Sequence, residues 1–150
     1  MRTRTAALAP AVVAAVVVAG VALGGCARPE YRALVVGQCL PSSAEVVGQR
    51  EPDPDRVPCT EAHRYEVYEV SDLVLGGSWP GAEAVDEAAQ QRCYERFEER
   101  VGVDPLDLPD GVLVVTIGPT EDGWGEGDRA VECLVQLPED REGAFIGSFS

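Results

Sequence analysis

Lysine and asparagine are absent from these 150 residues, and histidine occurs once, as His63. A lone imidazole leaves no second histidine to complete a ligand set, so a histidine-rich metal centre is not expected. Every one of the 12 basic residues is an arginine, set against 26 acids, for a formal charge of −14. Nucleic-acid binding depends on basic side chains displacing phosphate counterions, and this balance argues against it. Also missing are a C-x-x-C pair, a glycine-rich phosphate loop and a Gly-x-Ser-x-Gly elbow. Their absence argues against closely paired zinc ligands, against phosphate cradling and against a serine hydrolase. There is no internal repeat, and no cofactor is expected.

Long apolar runs are confined to one place. Ala6 to Leu23 holds only small and aliphatic side chains plus Pro10, with Arg2 and Arg4 ahead of it. This is the charged and then apolar layout of a secretory signal. The run has 18 residues, close to the roughly 20 that span hydrocarbon, so an uncleaved anchor helix is the competing reading. Leu23-Gly24-Gly25-Cys26 favours processing, because an anchor helix has no need of two glycines before the first cysteine of the chain. The tetrapeptide resembles a lipobox, which implies a diacylglyceryl group on Cys26, acyl chains such as palmitate, and cleavage before that residue. Two acyl chains hold a protein on a bilayer stably where one does not. The expected organisation is a signal peptide over 1–25, a lipidated tether over 26–33 and one domain over 34–150, on the outer face of the cell membrane.

Removing residues 1–25 takes away two arginines and no acids, leaving a formal charge of −16. A domain of this size has a single modest core. Four cysteines remain, Cys39, Cys59, Cys93 and Cys133. In an exported domain an even number reads as two disulfides, with three pairings open.

Ala33 to Leu40 reads as a first strand, and Arg64 to Leu75, rich in aromatic and β-branched residues, as the strongest one. From Ala82 the period changes: Val85, Ala89, Cys93, Phe97 and Val101 recur every four residues with acids between, predicting an amphipathic helix stopped by Gly102. Val112 to Ile117 and Arg129 to Leu137 read as further strands, separated by an acidic glycine loop from Gly118 to Gly127, and Ala144 to Phe149 as a weak fifth. The fold class is α+β: a small, mostly antiparallel sheet of about four strands with one main helix packed on it and two disulfides. Cys93 lies on the apolar stripe of the helix, and Cys133 shares a strand face with Val131 and Val135. The favoured pairing is therefore Cys93–Cys133, which leaves Cys39–Cys59.

His63 and Glu66 could form half of a metal site or a general base. Residues three apart on a strand point to opposite faces, however, so a structural His63 is expected. The run Glu121 to Asp128 crowds four acids among glycines and offers hard oxygen ligands for calcium, but without EF-hand spacing. No metal is assigned to either. Trp79, Trp124, Asp128 and Arg129, with His63, are the candidate binding residues, since tryptophan and arginine are frequent interface anchors; a core role for both tryptophans is the competing reading.

Gly37-Gln38-Cys39, Val57-Pro58-Cys59-x-x-x-His63-x-x-Glu66-Val67, Trp79-Pro80-Gly81, Cys93 with Phe97, and Pro119-Thr120-x-x-x-Trp124-x-x-Gly127-Asp128-Arg129-x-Val131-x-Cys133 stand in that order. Together they resemble the septum-formation domain family of actinobacterial envelope proteins. The family pattern has Gly-Asp-Cys and a proline before the histidine, where this chain has Gln38 and Ala62. The resemblance implies an extracytoplasmic domain linked to septum formation or cell division, with no established catalytic activity. The expected function is a lipid-anchored binding or scaffold module for an envelope or division protein. The alternative is a metal-assisted envelope hydrolase using His63 and nearby acids.

Native material should begin at Cys26 and carry its acyl mass, whereas Cys26→Ser should retain residues 1–25 and no lipid. Intact-mass measurement of membrane extracts distinguishes the two, and an unprocessed wild-type amino terminus would sink the assignment.

Overall fold

The computed structural model describes residues 34–44, 46 and 54–148. The signal segment, Cys26 and the tether fall outside these residues. Strand β1 is Cys39–Leu40, β2 is His63–Asp72, helix α1 is Ala82–Val101, β3 is Leu113–Ile117, helix α2 is Glu121–Gly125 and β4 is Ala130–Arg141. The strands form one sheet in the order β1-β2-β4-β3, and every neighbouring pair is antiparallel. The α+β class, the four-stranded sheet, the main helix and both disulfides agree with expectation.

Three elements depart from it. The first strand shrinks to Cys39–Leu40, because the chain turns at Val36-Gly37, where Gly37 takes φ 87° and Gln38 N donates to Val35 O at 3.1 Å. Ala144 to Ser148 makes no strand: the Phe145 and Ile146 amides donate to the Glu66 carboxylate, and Ser148 N closes a turn on Phe145 O. A segment whose amides are committed to a side chain has none left for a ladder. The acidic glycine loop contains the short helix α2, whose Thr120 side chain accepts from Gly123 N at 3.1 Å, an N-cap that offsets the low helix propensity of Gly123 and Gly125.

Helix α1 buries the stripe Val85, Ala89, Cys93, Phe97 and Val101. It packs on the sheet face carrying Tyr68, Val131, Cys133 and Val135, and Phe145 completes that core. Each large aliphatic or aromatic side chain so buried contributes roughly 1.5–3 kcal/mol. Gly102, at φ 92°, ends the helix and donates its amide to Glu98 O. The opposite face of the sheet is covered too: Leu34, Leu40 and Val46 close over Tyr65, Val67, Ile117 and Leu134. Both faces of β2 and β4 are therefore buried, and β2 places Tyr65 and Val67 on one face and Tyr68 on the other.

A bulge decides what faces the helix. Between Val67 and Glu69, β2 advances two residues while its partner β4 moves only from Leu134 to Cys133. The extra residue puts Tyr68 and Glu69 both on the helix side. Tyr68 donates its hydroxyl to Cys93 O at 3.0 Å, and Glu69 pairs with Arg100 at 2.9 Å. Burial, followed by the neighbouring Tyr94 and Glu69, raises the Tyr68 phenol well above its ordinary range, so the hydroxyl remains a donor.

Cys93–Cys133 ties helix to sheet with Cα atoms 5.4 Å apart, and Cys39–Cys59 ties β1 to the loop before β2 at 5.3 Å. Chain-entropy reasoning assigns roughly 4 kcal/mol to the longer loop and roughly 3 kcal/mol to the shorter. In urea melts, Cys93→Ala/Cys133→Ala should lose more stability than Cys39→Ala/Cys59→Ala. The reverse order would show that the second core, not the helix, limits the fold.

Candidate functional site: a tryptophan-walled cleft and a buried His-Glu pair

Trp124 sits on the short helix α2 and is 2 % exposed. Its indole Nε1 donates to Gly77 O at 3.1 Å, and the Arg129 guanidinium lies 3.6 Å above its ring. Arg129 in turn donates to Trp124 O at 2.9 Å, to Asp128 O at 2.6 Å and to Gly77 O at 3.3 Å. Asp128 Oδ1 accepts from Ala130 N at 3.0 Å, setting the turn into β4. Three of the candidate binding residues, Trp124, Asp128 and Arg129, thus serve as an internal staple. Expecting Trp124 at a contact surface is corrected by its burial: the ring and its polar atom are committed inside.

Trp79 differs. It is half-buried, meets Trp124 edge to face with centroids 5.7 Å apart, and forms one wall of a cleft of about 440 Å³. Val85 of the first turns of α1, Ile117 at the end of β3 and Pro119 supply further apolar lining, while Asp86 and Glu121 bring acids to it. Gly118 is small for a reason, since a Cβ there would stand 3.3 Å from Val85 Cγ1. The staple behind Trp79 fixes the 76–81 loop, so the cleft is held by packing from both sides. Its size lies in the range of small-ligand and side-chain pockets.

His63 and Glu66 lie elsewhere, beneath the C-terminal arm. They meet, contrary to the strand-alternation expectation: His63 Nε2 is 2.9 Å from Glu66 Oε1, and the two are 0 % and 2 % exposed. The reason is a break in pairing. From Tyr65 to His63, β2 moves two residues while β4 runs from Gln136 to Arg141, so face alternation does not carry across. The Glu66 carboxylate also accepts from Phe145 N at 2.5 Å and Ile146 N at 3.0 Å. His63 Nδ1 lies 2.8 Å from Glu61 O, a carbonyl, so Nδ1 is the donor there. Nε2 is the ring atom turned to the Glu66 carboxylate. Cys39 is the cross-strand partner of Glu66, and the sulfur of Cys39, a ring nitrogen of His63 and a Glu66 oxygen lie within 4.8 Å of one another. Among the described residues this is the one such cluster, so the acids of the 121–128 segment do not converge as a calcium site would require.

A sequence profile described as septum formation matches residues 30–133. The chain belongs to the septum-formation family. Comparisons with curated proteins and with solved structures return no match. The matched span contains both disulfides, the His63–Glu66 pair and the whole tryptophan staple of this family member, and ends at Cys133 in β4. At the position where the family pattern has aspartate, Gln38 Oε1 accepts from Val35 N at 2.9 Å and Arg56 Nε at 3.1 Å. The amide oxygen thereby fulfils the acceptor role of a carboxylate beside Cys39. Ala62, standing for the family proline, is exposed and leaves His63 in place.

Trp124→Ala should cost about 3–5 kcal/mol, the range for emptying a large aromatic from a core. Thermal or urea unfolding checks this, and a melting temperature close to wild type would restore Trp124 to the surface role.

Proposed function

We propose that this septum-formation family member is a lipid-anchored, extracytoplasmic binding module that captures an envelope partner at the Trp79 cleft. The observation that carries the reading is the cleft itself: a rigid concave site of about 440 Å³ whose tryptophan wall is braced from behind. Its acids, Asp86 and Glu121, together with the formal charge of −14, favour a partner segment that offers an apolar side chain flanked by arginine or lysine. Family membership supports a role linked to septum formation. The lipobox-like sequence at Cys26 supports the anchor and the location.

The hydrolase alternative draws less support. His63 and Glu66 are buried beneath Phe145 and Ile146 and do not line the cleft, so a substrate held there lies away from both. A binding module instead needs a preformed, partly apolar depression with a few oriented polar groups, which the cleft provides.

In-cell crosslinking from the cleft rim, followed by identification of captured proteins, tests the proposal. Trp79→Ala should reduce capture about 10-fold or more, as removal of a central aromatic anchor does. Its stability should fall by only about 1 kcal/mol, through loss of the edge-to-face contact with Trp124. Asp86→Arg/Glu121→Arg should weaken capture with no loss of stability. Undiminished capture by both variants would overturn the assignment.

A further inference from the structure

We propose that reductive cleavage of the Cys39–Cys59 disulfide opens a zinc-type divalent metal site built from Cys39, His63 and Glu66. The inference is independent of the cleft. The oxidised protein already holds the ligands in place. His63 donates Nδ1–H to Glu61 O and so aims Nε2 at Glu66, the outer-sphere arrangement that fixes tautomer and ring orientation in metal-bound histidines. Glu66 is oriented the same way, by the amides of Phe145 and Ile146. The missing donor is a thiolate, and Cys39 stands opposite Glu66 in the sheet with its sulfur in the cluster. Ligand atoms around tetrahedral zinc sit roughly 3.3–3.8 Å apart, given bonds of about 2.0–2.3 Å. The His63–Glu66 separation of 2.9 Å and the 4.8 Å bound on the cluster bracket that spacing, so side-chain rotation suffices.

The two disulfides are not equally open to a reductant. Cys93 and Cys133 are both 0 % exposed, whereas Cys59 is only half-buried. A dithiol reductant attacks through its thiolate at Cys59 Sγ; the S–S bond breaks and Cys39 leaves as a thiolate. The second thiol of the reductant then resolves the mixed disulfide, releasing Cys59 and closing the reductant's own disulfide, so two electrons pass to the protein. The same cleavage unties Cys59 Sγ from β1, while Val57 N still donates to Cys39 O at 3.0 Å and Gly143 N to Cys59 O at 2.8 Å. Metal entry then displaces whatever protons the ligand atoms carry.

Full-length chain in a Cys26→Ser background, which removes the remaining free thiol, is treated with a dithiol, freed of it without air, and titrated with Co²⁺ and then Zn²⁺ alone. Thiolate-to-cobalt charge-transfer absorption should appear at one metal per chain, be displaced by Zn²⁺, and be absent from the oxidised protein, with affinity differing by about 100-fold or more. Cys59→Ser should bind Co²⁺ without any reductant, because Cys39 is then free, while Cys39→Ser should give no such band. Far-UV circular dichroism reports whether each variant is folded. His63→Ala should weaken binding at least about 10-fold. No band from reduced wild type, a band that survives in Cys39→Ser, or a folded Cys59→Ser chain that binds no cobalt would each overturn the proposal.

Discussion

Helix α1 touches the sheet along one stripe, and the Cys93–Cys133 bond sits at the middle of that stripe, between Ala89 and Phe97 on one side and Val131 and Val135 on the other. Much else is registered to this point. The Tyr68 hydroxyl reads the carbonyl of Cys93, so the bulge in β2 and the height of the helix are set against each other. One turn before the bond, Ala89 and Val85 approach Gly118, which fixes where β3 ends and hence where the cleft opens. Two turns after it, Arg100 reaches Glu69. Shifting the helix by one residue would turn its stripe by about 100° and break all of these together, which a covalent tie prevents.

An interior with several carboxylates requires a donor for each of them, because an unpaired buried charge costs more than a pair returns. Here the donors come from different elements. Glu69 draws on Arg100 and Arg96 of the helix, Glu132 on the Leu34 amide at 2.7 Å, and Glu66 on His63 and the C-terminal arm. Each acid thus ties a different element to the sheet. Charge-assisted bonds of this kind are about twice as strong as neutral ones. They also explain how a chain with 26 acids folds: part of the negative charge is spent as internal acceptors for backbone amides.

Much of this architecture is legible in the sequence, for reasons that differ by element. Helix α1 announces itself because Val85 to Val101 repeats at helical spacing and Gly102 stops it, so its observed bounds match the expected ones. The disulfide pairing follows from that stripe, since it aims Cys93 at the sheet. Family motifs point to the His63 and Trp124 segments but not to what they do. Leu34 and Phe145 mislead, because each caps a core from outside the ladder and burial alone does not distinguish that from a strand, while Val35 and Val36 stay exposed. The His63–Glu66 contact is hidden by the pairing break in β2, which no local signal marks. Trp124 looks like a surface anchor among glycines and acids until α2, capped by Thr120, folds it inward.

The cleft lies where the two cores meet. Val85 belongs to the helix-side cluster, whereas Ile117 and Val46 belong to the cluster on the other face of the sheet, and all three line the same depression. The two clusters are secured by different bonds: the first by a fully enclosed disulfide, the second by one whose Cys59 is half-exposed. The segment that carries Cys39 is also held by backbone bonds, since Gly37 N donates to Val67 O, Val67 N to Gln38 O and Val57 N to Cys39 O, so the sulfur facing His63 and Glu66 is registered to the sheet by more than its disulfide.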